Sequence, residues 1–348
     1  MANEAAVEGV RRSTEHPSLG EIQLPDQITA SLDPLQWAAY RILLRATTPV
    51  RLPRFKGSTL RGAFGSAFRE LACSQRGAEC SACTLGSVCA FAYVFATGRV
   101  PGAERFQSLE SVPRPFLFEP PPGEAVTYQP GQTFEFGLTL FGRGVDYLPY
   151  FIVSFKELAE KGLGVGRGRA RLERIEADGR LVYDAADGLV RRNWQQLNPS
   201  AALTRVRARL GGNLPAERVR LRFETPTRLK HDGHLIERPA FSVLVRALLR
   251  RISTLAALHA GHELKLDYRA LIDKAEAVRL DRDATAWVDW ERYSARQDAR
   301  MKLGGIVGEV EYAGDLAPFV PLLAVGEWTH VGKNVTFGLG KFTVVAGG

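Results

Sequence analysis

Long apolar runs are missing from this chain: the longest, such as Leu148 to Phe155, fall well short of the ~20 residues a membrane helix needs. Met1 to Leu19 mixes Glu, Arg and His with no apolar signal core, so neither membrane insertion nor secretion is expected, and the expected location is cytoplasmic. Cysteine is absent outside residues 73 to 89, which excludes a disulfide framework spread over the fold. Lysine is scarce, with nine Lys against 37 Arg, and only six His are present, none of them between Trp37 and Leu71.

What remains is 348 residues, 45% hydrophobic and 24% charged, enough for two packed cores and unlike a disordered or fibrous chain. The net charge is +8. Guanidinium clamps phosphate in a bidentate fork and stacks on bases, so an Arg-heavy basic balance suits nucleic acid. A GC-rich genome writing Arg for Lys produces the same composition, and location has to separate the two.

The four cysteines lie in CSQRGAECSACTLGSVC, with six, two and five residues between Cys73, Cys80, Cys83 and Cys89. Cys80 and Cys83 form a CxxC knuckle, and the outer pair is close enough for four thiolates to converge on one tetrahedral ion. A structural zinc is expected. An iron-sulfur cluster uses the same ligands and stays open, as do free or buried thiols. A reducing compartment argues against two disulfides, and no neighbouring His suggests an open metal position, so no catalytic metal is expected.

Three segments are distinguished: a polar tail at 1–34, broken by Pro17, Pro25 and Pro34; a first domain at 35–200 carrying the cysteine insert; and a second domain at 201–348 ending in a glycine-rich loop. Tyr40 to Val50 reads as a strand. Ser58 to Leu71 reads as a helix capped by Ser58, with Leu60, Phe64, Ala67, Phe68 and Leu71 at helical spacing. Strands at Pro115 to Glu119 and Thr133 to Phe141, a helix at Leu148 to Lys161 and a strand at Arg167 to Glu176 follow. The second half repeats this order, with a strand at Val219 to Glu224 and a helix at Phe241 to Leu258. Strands around Ala277 to Arg292 and Ile306 to Tyr312, a helix at Leu316 to Val325 and a strand at Lys341 to Val345 complete it. The expected fold is α+β, two tandem ferredoxin-like (RRM-like) domains, each β-α-β-β-α-β, with a four-cysteine metal-binding insert in the first. In both halves a glycine-rich connector, GLGVGRGRARL or GKNVTFGLGKF, joins the second helix to the last strand. A dinucleotide fingerprint is ruled out because these connectors close a helix and enter a strand.

With THVGKNVTFGLGKF, LRGAFGSAFREL, the cysteine insert, RPFLFEPP, FETPTRLK and DWERYSARQ in view, the chain resembles the CRISPR-associated RAMP-superfamily endoribonucleases that cut repeat RNA into guide RNA. The resemblance covers most of the chain. It implies repeat-RNA (precursor crRNA) binding and metal-independent cleavage by a ribose 2′-OH, leaving a 2′,3′-cyclic phosphate and a 5′-OH. CRISPR effector proteins are the other implied partners. Such chemistry needs a base, an acid and positive charge on the phosphorane. His330, two residues before Gly332 of the signature, is expected as general acid or base, with Lys333, Lys56 and Lys341 stabilising charge. Arg61, Arg167, Arg169, Arg171, Lys341, Tyr293, Arg296 and the backbone of Gly338 and Gly340 are expected to meet RNA. His231 and His234 fall in a polar hairpin tip, and His259 and His262 end a helix where the dipole favours them. Many members of that family place a catalytic His early in the first domain, where this chain has none. The rival expectation is therefore a non-cleaving RAMP subunit that holds RNA inside an effector assembly.

Overall fold

The structure is a computed structural model, describing residues 25–75, 79–80, 82–97, 106, 112–289, 291–294 and 299–346, with backbone alone for 291–294 and 299–302. Arg296 lies outside the described residues, and so does the side chain of Tyr293.

The first half runs α1 (Pro25–Leu32), β1 (Trp37–Ala46), β2 (Val50–Leu52), α2 (Lys56–Ala72), α3 (Ala90–Phe95), β3 (Phe116–Glu119), β4 (Val126–Tyr128), β5 (Thr133–Phe141), α4 (Leu148–Lys161), β6 (Ala170–Ala177) and β7 (Arg180–Asp184). Its sheet is antiparallel in the order β3-β5-β1-β6-β7. Leu60, Phe64 and Phe68 recur every four residues on α2 and are buried, so one stripe of the helix must face the sheet. Phe64 anchors that core, 4.7 Å from Phe151 of α4 and 5.3 Å from Phe118 of β3, ring centre to ring centre.

The second half runs α5 (Pro199–Arg209), β8 (Arg218–Thr227), the small hairpin β9 (Lys230–His231) and β10 (His234–Leu235), α6 (Phe241–Leu255), α7 (Tyr268–Glu276), β11 (Arg279–Val288), the hairpin β12 (Glu291–Ser294) and β13 (Ala299–Lys302), β14 (Gly305–Ala313), α8 (Val320–Thr329) and β15 (Phe342–Val345). Its sheet has the order β11-β14-β8-β15. In both halves the four strands read from sequence stand second, third, first, fourth, an arrangement in which the first strand is central and pairs antiparallel on both sides. The mixed α and β fold that results has antiparallel sheets, and among the described residues no helix is long and apolar enough to cross a membrane.

Several boundaries differ from expectation for physical reasons. The lead-in expected over 1–34 contains α1, whose Ile28 and Leu32 are buried in the core of the second half. Ser58 is not a cap: α2 starts two residues earlier, after Phe55, and no side chain caps it. The strand expected over 40–50 divides at residues 47–49, and β2 leaves the main sheet to pair with β4. The strand expected from Arg167 starts at Ala170, because the preceding connector folds back on β2, where Val165 N donates to Arg51 O at 2.9 Å. The helix expected at 316–325 begins at Val320, with Pro321 in its first turn, where a missing N–H costs nothing.

The halves share an extensive seam. Trp37, Leu117 and Phe141 of the first half are buried in the second half's core, and Trp37 stands 6.0 Å from Trp328.

Candidate nucleic-acid interface

The glycine-rich segment after α8 is wedged into that seam. Gly57, at the start of α2, lies under the Phe337 carbonyl so closely that a Cβ would fall 1.9 Å from its oxygen. Gly340 (φ 75°) packs likewise on the Val331 carbonyl, and Gly338 (φ 87°) on Phe118 and Pro120. Both are buried, which corrects the expectation that their backbone meets RNA: these glycines let protein backbones touch each other. The part of the segment left half-exposed is Gly332 to Asn334.

Beside it opens a cleft of about 740 Å³. One wall is α6, whose Leu244, Leu248 and Ile252 face the core while Arg246 and Arg250, one turn apart, face the cleft. A second wall carries Arg228, Lys230 and His231 from the end of β8 and the β9 hairpin; a third carries Arg61 of α2 and Arg114; Lys333 to Phe337 close it. Among the described residues, eight Arg or Lys side chains line it, against one carboxylate, Asp232. Arg61 is held between aromatic rings, 4.7 Å over Phe337 and 5.5 Å from Phe95, which restricts the orientation of its guanidinium. Arg228 donates to Gly304 O (2.8 Å) and receives Lys333 N at its own carbonyl (3.1 Å), tying the loop to β8. Burial pushes the Arg228 guanidinium below its usual range.

His330 does not line this cleft. It is 0% exposed at the end of α8, and its Nδ1 is 3.2 Å from Leu339 O while Nε2 has no partner. It is also held at φ 55°, ψ 174°, a backbone geometry nearly confined to glycine. Burial pulls it down to about 4, against the opposing pull of Glu119. The general acid or base expected at His330 is therefore not available to an RNA in this arrangement. Lys56 is likewise withdrawn: 1% exposed, it donates to the carbonyls of Gly123 and Glu124 (2.9 and 2.8 Å), fastening the loop after β3 to α2. Burial lowers its ammonium, partly countered by Glu124. Lys341 is engaged by Glu119 at 2.7 Å and Glu224 at 3.6 Å, on the far side of the glycine-rich segment. Burial raises the Glu119 carboxyl, but neighbouring His330 and Lys341, the lysine also donating a hydrogen bond to it, outweigh burial and hold it below its usual range. His259 is fully buried too, bridging Tyr93 Oη and Pro113 O at 3.0 Å each across the seam.

Arg167, Arg169 and Arg171 are exposed, but they do not form the strand row expected: Arg167 (φ 49°) and Arg169 precede β6 in the connector and Arg171 alone is on the strand, where it meets Glu173 at 3.2 Å. Arg218, Arg220 and Arg222, which alternate along β8, are paired with carboxylates of β14: Arg218 and Arg220 reach Glu311, and Arg222 reaches Glu309. The residues that sequence reasoning missed are Arg114, Arg228, Lys230, Arg246, Arg250 and Arg251. The signal for three of them was present, as basic positions interrupting the otherwise apolar run FSVLVRALLRRISTLAAL.

All four cysteines are free and half-buried. Cys73 follows α2 and Cys89 precedes α3, while Gly86 N donates to Cys83 O at 3.1 Å in the turn between. Burial raises the Cys80 thiol, Arg69 lowers it, and the other three cysteines lie near enough to raise it further. Among the described residues no three His, Cys, Asp or Glu side chains stand in a metal-holding group; residues 76–78 and 81 of the insert are not described.

An antiparallel fold of two halves with a basic cleft at their seam presents a surface of the kind that suits a polyanion. Residues 35–195 match a family model described as an N-terminal domain, and residues 221–342 match that of the CRISPR-associated endoribonuclease Cas6. The match to the Cas6 model lies wholly in the second half of the chain, which is similar to that endoribonuclease domain. Solved structures agree on the fold. A Cas6 product complex is 18% identical with a TM-score of 0.52, over 89% of this chain and 100% of that one. A Thermus thermophilus Cas6 is 14% identical with a TM-score of 0.50, over 89% and 99%. A partial Cas6-RT-Cas1–Cas2 complex is 13% identical with a TM-score of 0.52, over 90% of this chain and 47% of that one. No curated protein matches the chain.

Proposed function

We propose that the protein binds CRISPR repeat RNA in the basic cleft and cuts precursor transcripts into guide RNAs without a catalytic metal. The observation that carries this reading is the cleft's charge, eight Arg and Lys against one carboxylate among the described residues, on walls supplied largely by the segment that matches the Cas6 family model. Both halves are read as ferredoxin-like units, on the strand order that they share.

In the reaction a bond forms from the ribose O2′ to phosphorus while the bond from phosphorus to O5′ breaks. The products are a 2′,3′-cyclic phosphate and a 5′-OH. One group takes the 2′-OH proton and another returns a proton to O5′. With His330 enclosed, proton transfer falls to His231 on the cleft rim, where its Nε2 is 3.4 Å from Asp232. Lys333 and the ring-held Arg61 would carry the charge of the phosphorane.

The test is incubation in EDTA with end-labelled repeat RNA and with a copy carrying a 2′-deoxy sugar 5′ to the cut. Cleavage of the first alone supports the reading; cleavage of both overturns the 2′-OH mechanism. Binding of both without cleavage supports the second reading, an RNA-holding subunit of a CRISPR effector assembly, which the enclosure of His330 and His259 favours.

We also infer that the cysteine insert holds a structural zinc, on the strength of four free thiols within 17 residues around a CxxC pair. Elemental analysis of protein purified without chelator should find one zinc per chain, lost in Cys83→Ser. Iron with visible absorbance would point to a cluster, and metal-free protein would overturn the inference.

A further inference from the structure

The floor of the cleft holds an arginine unlike the others. Arg251 follows Arg250 on α6 and so turns inward, where it is 7% exposed. Its Nε donates to Thr329 O at 2.5 Å, and its Nη2 has no hydrogen-bond partner. Elsewhere the chain pairs surface arginines with carboxylates, as at Arg41, Arg45 and Arg218. Arg251 is opposed by burial alone, which drives it down to about 9, with no carboxylate compensating. Its charge is felt by both buried histidines, His259 and His330, and helps to keep them neutral. A buried guanidinium left unpaired is strongly unfavourable, and a protein retains one where an anion completes it. Asp232, the cleft's own carboxylate, is exposed and lies beside His231.

We propose that Arg251 is the seat of one phosphate group at the cleft floor, binding its oxygens through the unpartnered end of the guanidinium, with Arg250 and Lys333 above it. The inference deepens the RNA-binding reading and rests on it for the source of the phosphate, a backbone diester of the bound RNA. It does not depend on cleavage. Arg251 is the most deeply buried of the cleft's arginines, so an anion reaching its guanidinium offsets a larger desolvation cost there than at an exposed cation.

Two arms test it, using the full chain. In the first, thermal unfolding is followed in inorganic phosphate and in chloride at matched ionic strength. Phosphate should raise the wild-type Tm saturably, and Arg251→Met should lose that shift while melting no lower than wild type in chloride, because an uncompensated charge has been removed. Arg251→Lys, which keeps the charge and loses the fork, should retain only part of the shift, and decides the matter if the Met variant does not fold. A wild-type Tm indifferent to phosphate, or a shift that survives both substitutions, overturns the seat. In the second arm, binding of the 2′-deoxy repeat RNA is measured from low to high salt. Arg251→Met should weaken it about tenfold or more and flatten the plot of log K against log salt by about one phosphate's worth, a slope change of ~0.7 to 0.9. An unchanged affinity and slope, with the phosphate shift lost, would overturn the RNA backbone as the source. Failure of wild type to bind RNA at all would sink the proposed function and leave the phosphate arm to judge Arg251.

Discussion

Two histidines at the seam and one at the cleft rim carry the same side chain into opposite situations. His259 and His330 are enclosed, already engaged by backbone or tyrosine, and kept neutral by burial beside Arg251. His231 stands on a two-strand hairpin at the mouth of the cleft, with room to meet a ligand. If it transfers a proton, His231→Ala should slow cleavage of repeat RNA about 10²-fold or more while leaving affinity within a few fold. Single-turnover rates and a filter-binding titration on the same preparation measure both. A rate unchanged from wild type would remove His231 from the chemistry. Lys56 teaches a related lesson: a lysine close to the expected phosphate path is consumed by two carbonyls, and only the fold reveals it.

At the level of elements, α2 and the glycine-rich segment behave as one contact. The stripe of Leu60, Phe64 and Phe68 sets which way α2 faces, and this was readable because the period of 3.6 leaves no alternative. That Gly57 must be glycine was not readable, since the Phe337 carbonyl that crowds it comes from a segment 280 residues later. A pair of substitutions separates the two effects. Gly62→Ala, exposed in mid-helix with nothing within 4 Å of the new methyl, should stabilise by up to ~1 kcal/mol through helix propensity. Gly57→Ala should destabilise by roughly 2 kcal/mol or more and weaken RNA binding, because the backbones framing the cleft are forced apart. Urea unfolding midpoints and RNA titrations check both directions. The helices α5 and α7 and the strands β4 and β7 escaped sequence reading because they are short, at eleven, nine, three and five residues, too few turns or alternations to stand out from the connectors around them.

For the whole molecule, the buried histidines tie stability to pH. Each has a folded pKa near 4, below the 6.5 of an unburied imidazole, so the folded state favours the neutral ring. Their contribution is complete above about pH 6.5 and is lost as pH falls through the window from 6.5 to 4. The loss is of the order of 3 kcal/mol at most for each histidine. Urea midpoints should be flat from pH 8 to 7 and fall steadily below, with a shallower fall in a His259→Gln, His330→Gln double variant. An equally steep fall in that variant would assign the acid sensitivity to other groups.

The sequence alone determined the repeated order of strands and helices, the direction α2 faces, the confinement of cysteine to one insert and the resemblance that Cas6-family matching bears out. Those properties follow from local periodicity, spacing and short motifs, which a linear reading captures. Only the tertiary structure decided where charge is concentrated and which polar groups are withdrawn. Arg61, Arg114, Arg228, Arg251 and Lys333 come from five separate segments and meet only when the two halves dock, while the rows at Arg218, Arg220 and Arg222 are cancelled by acids on neighbouring strands. Whether a cation faces ligand, carboxylate or carbonyl is a property of three-dimensional neighbourhood, because burial and pairing act through distances that the order of residues does not record.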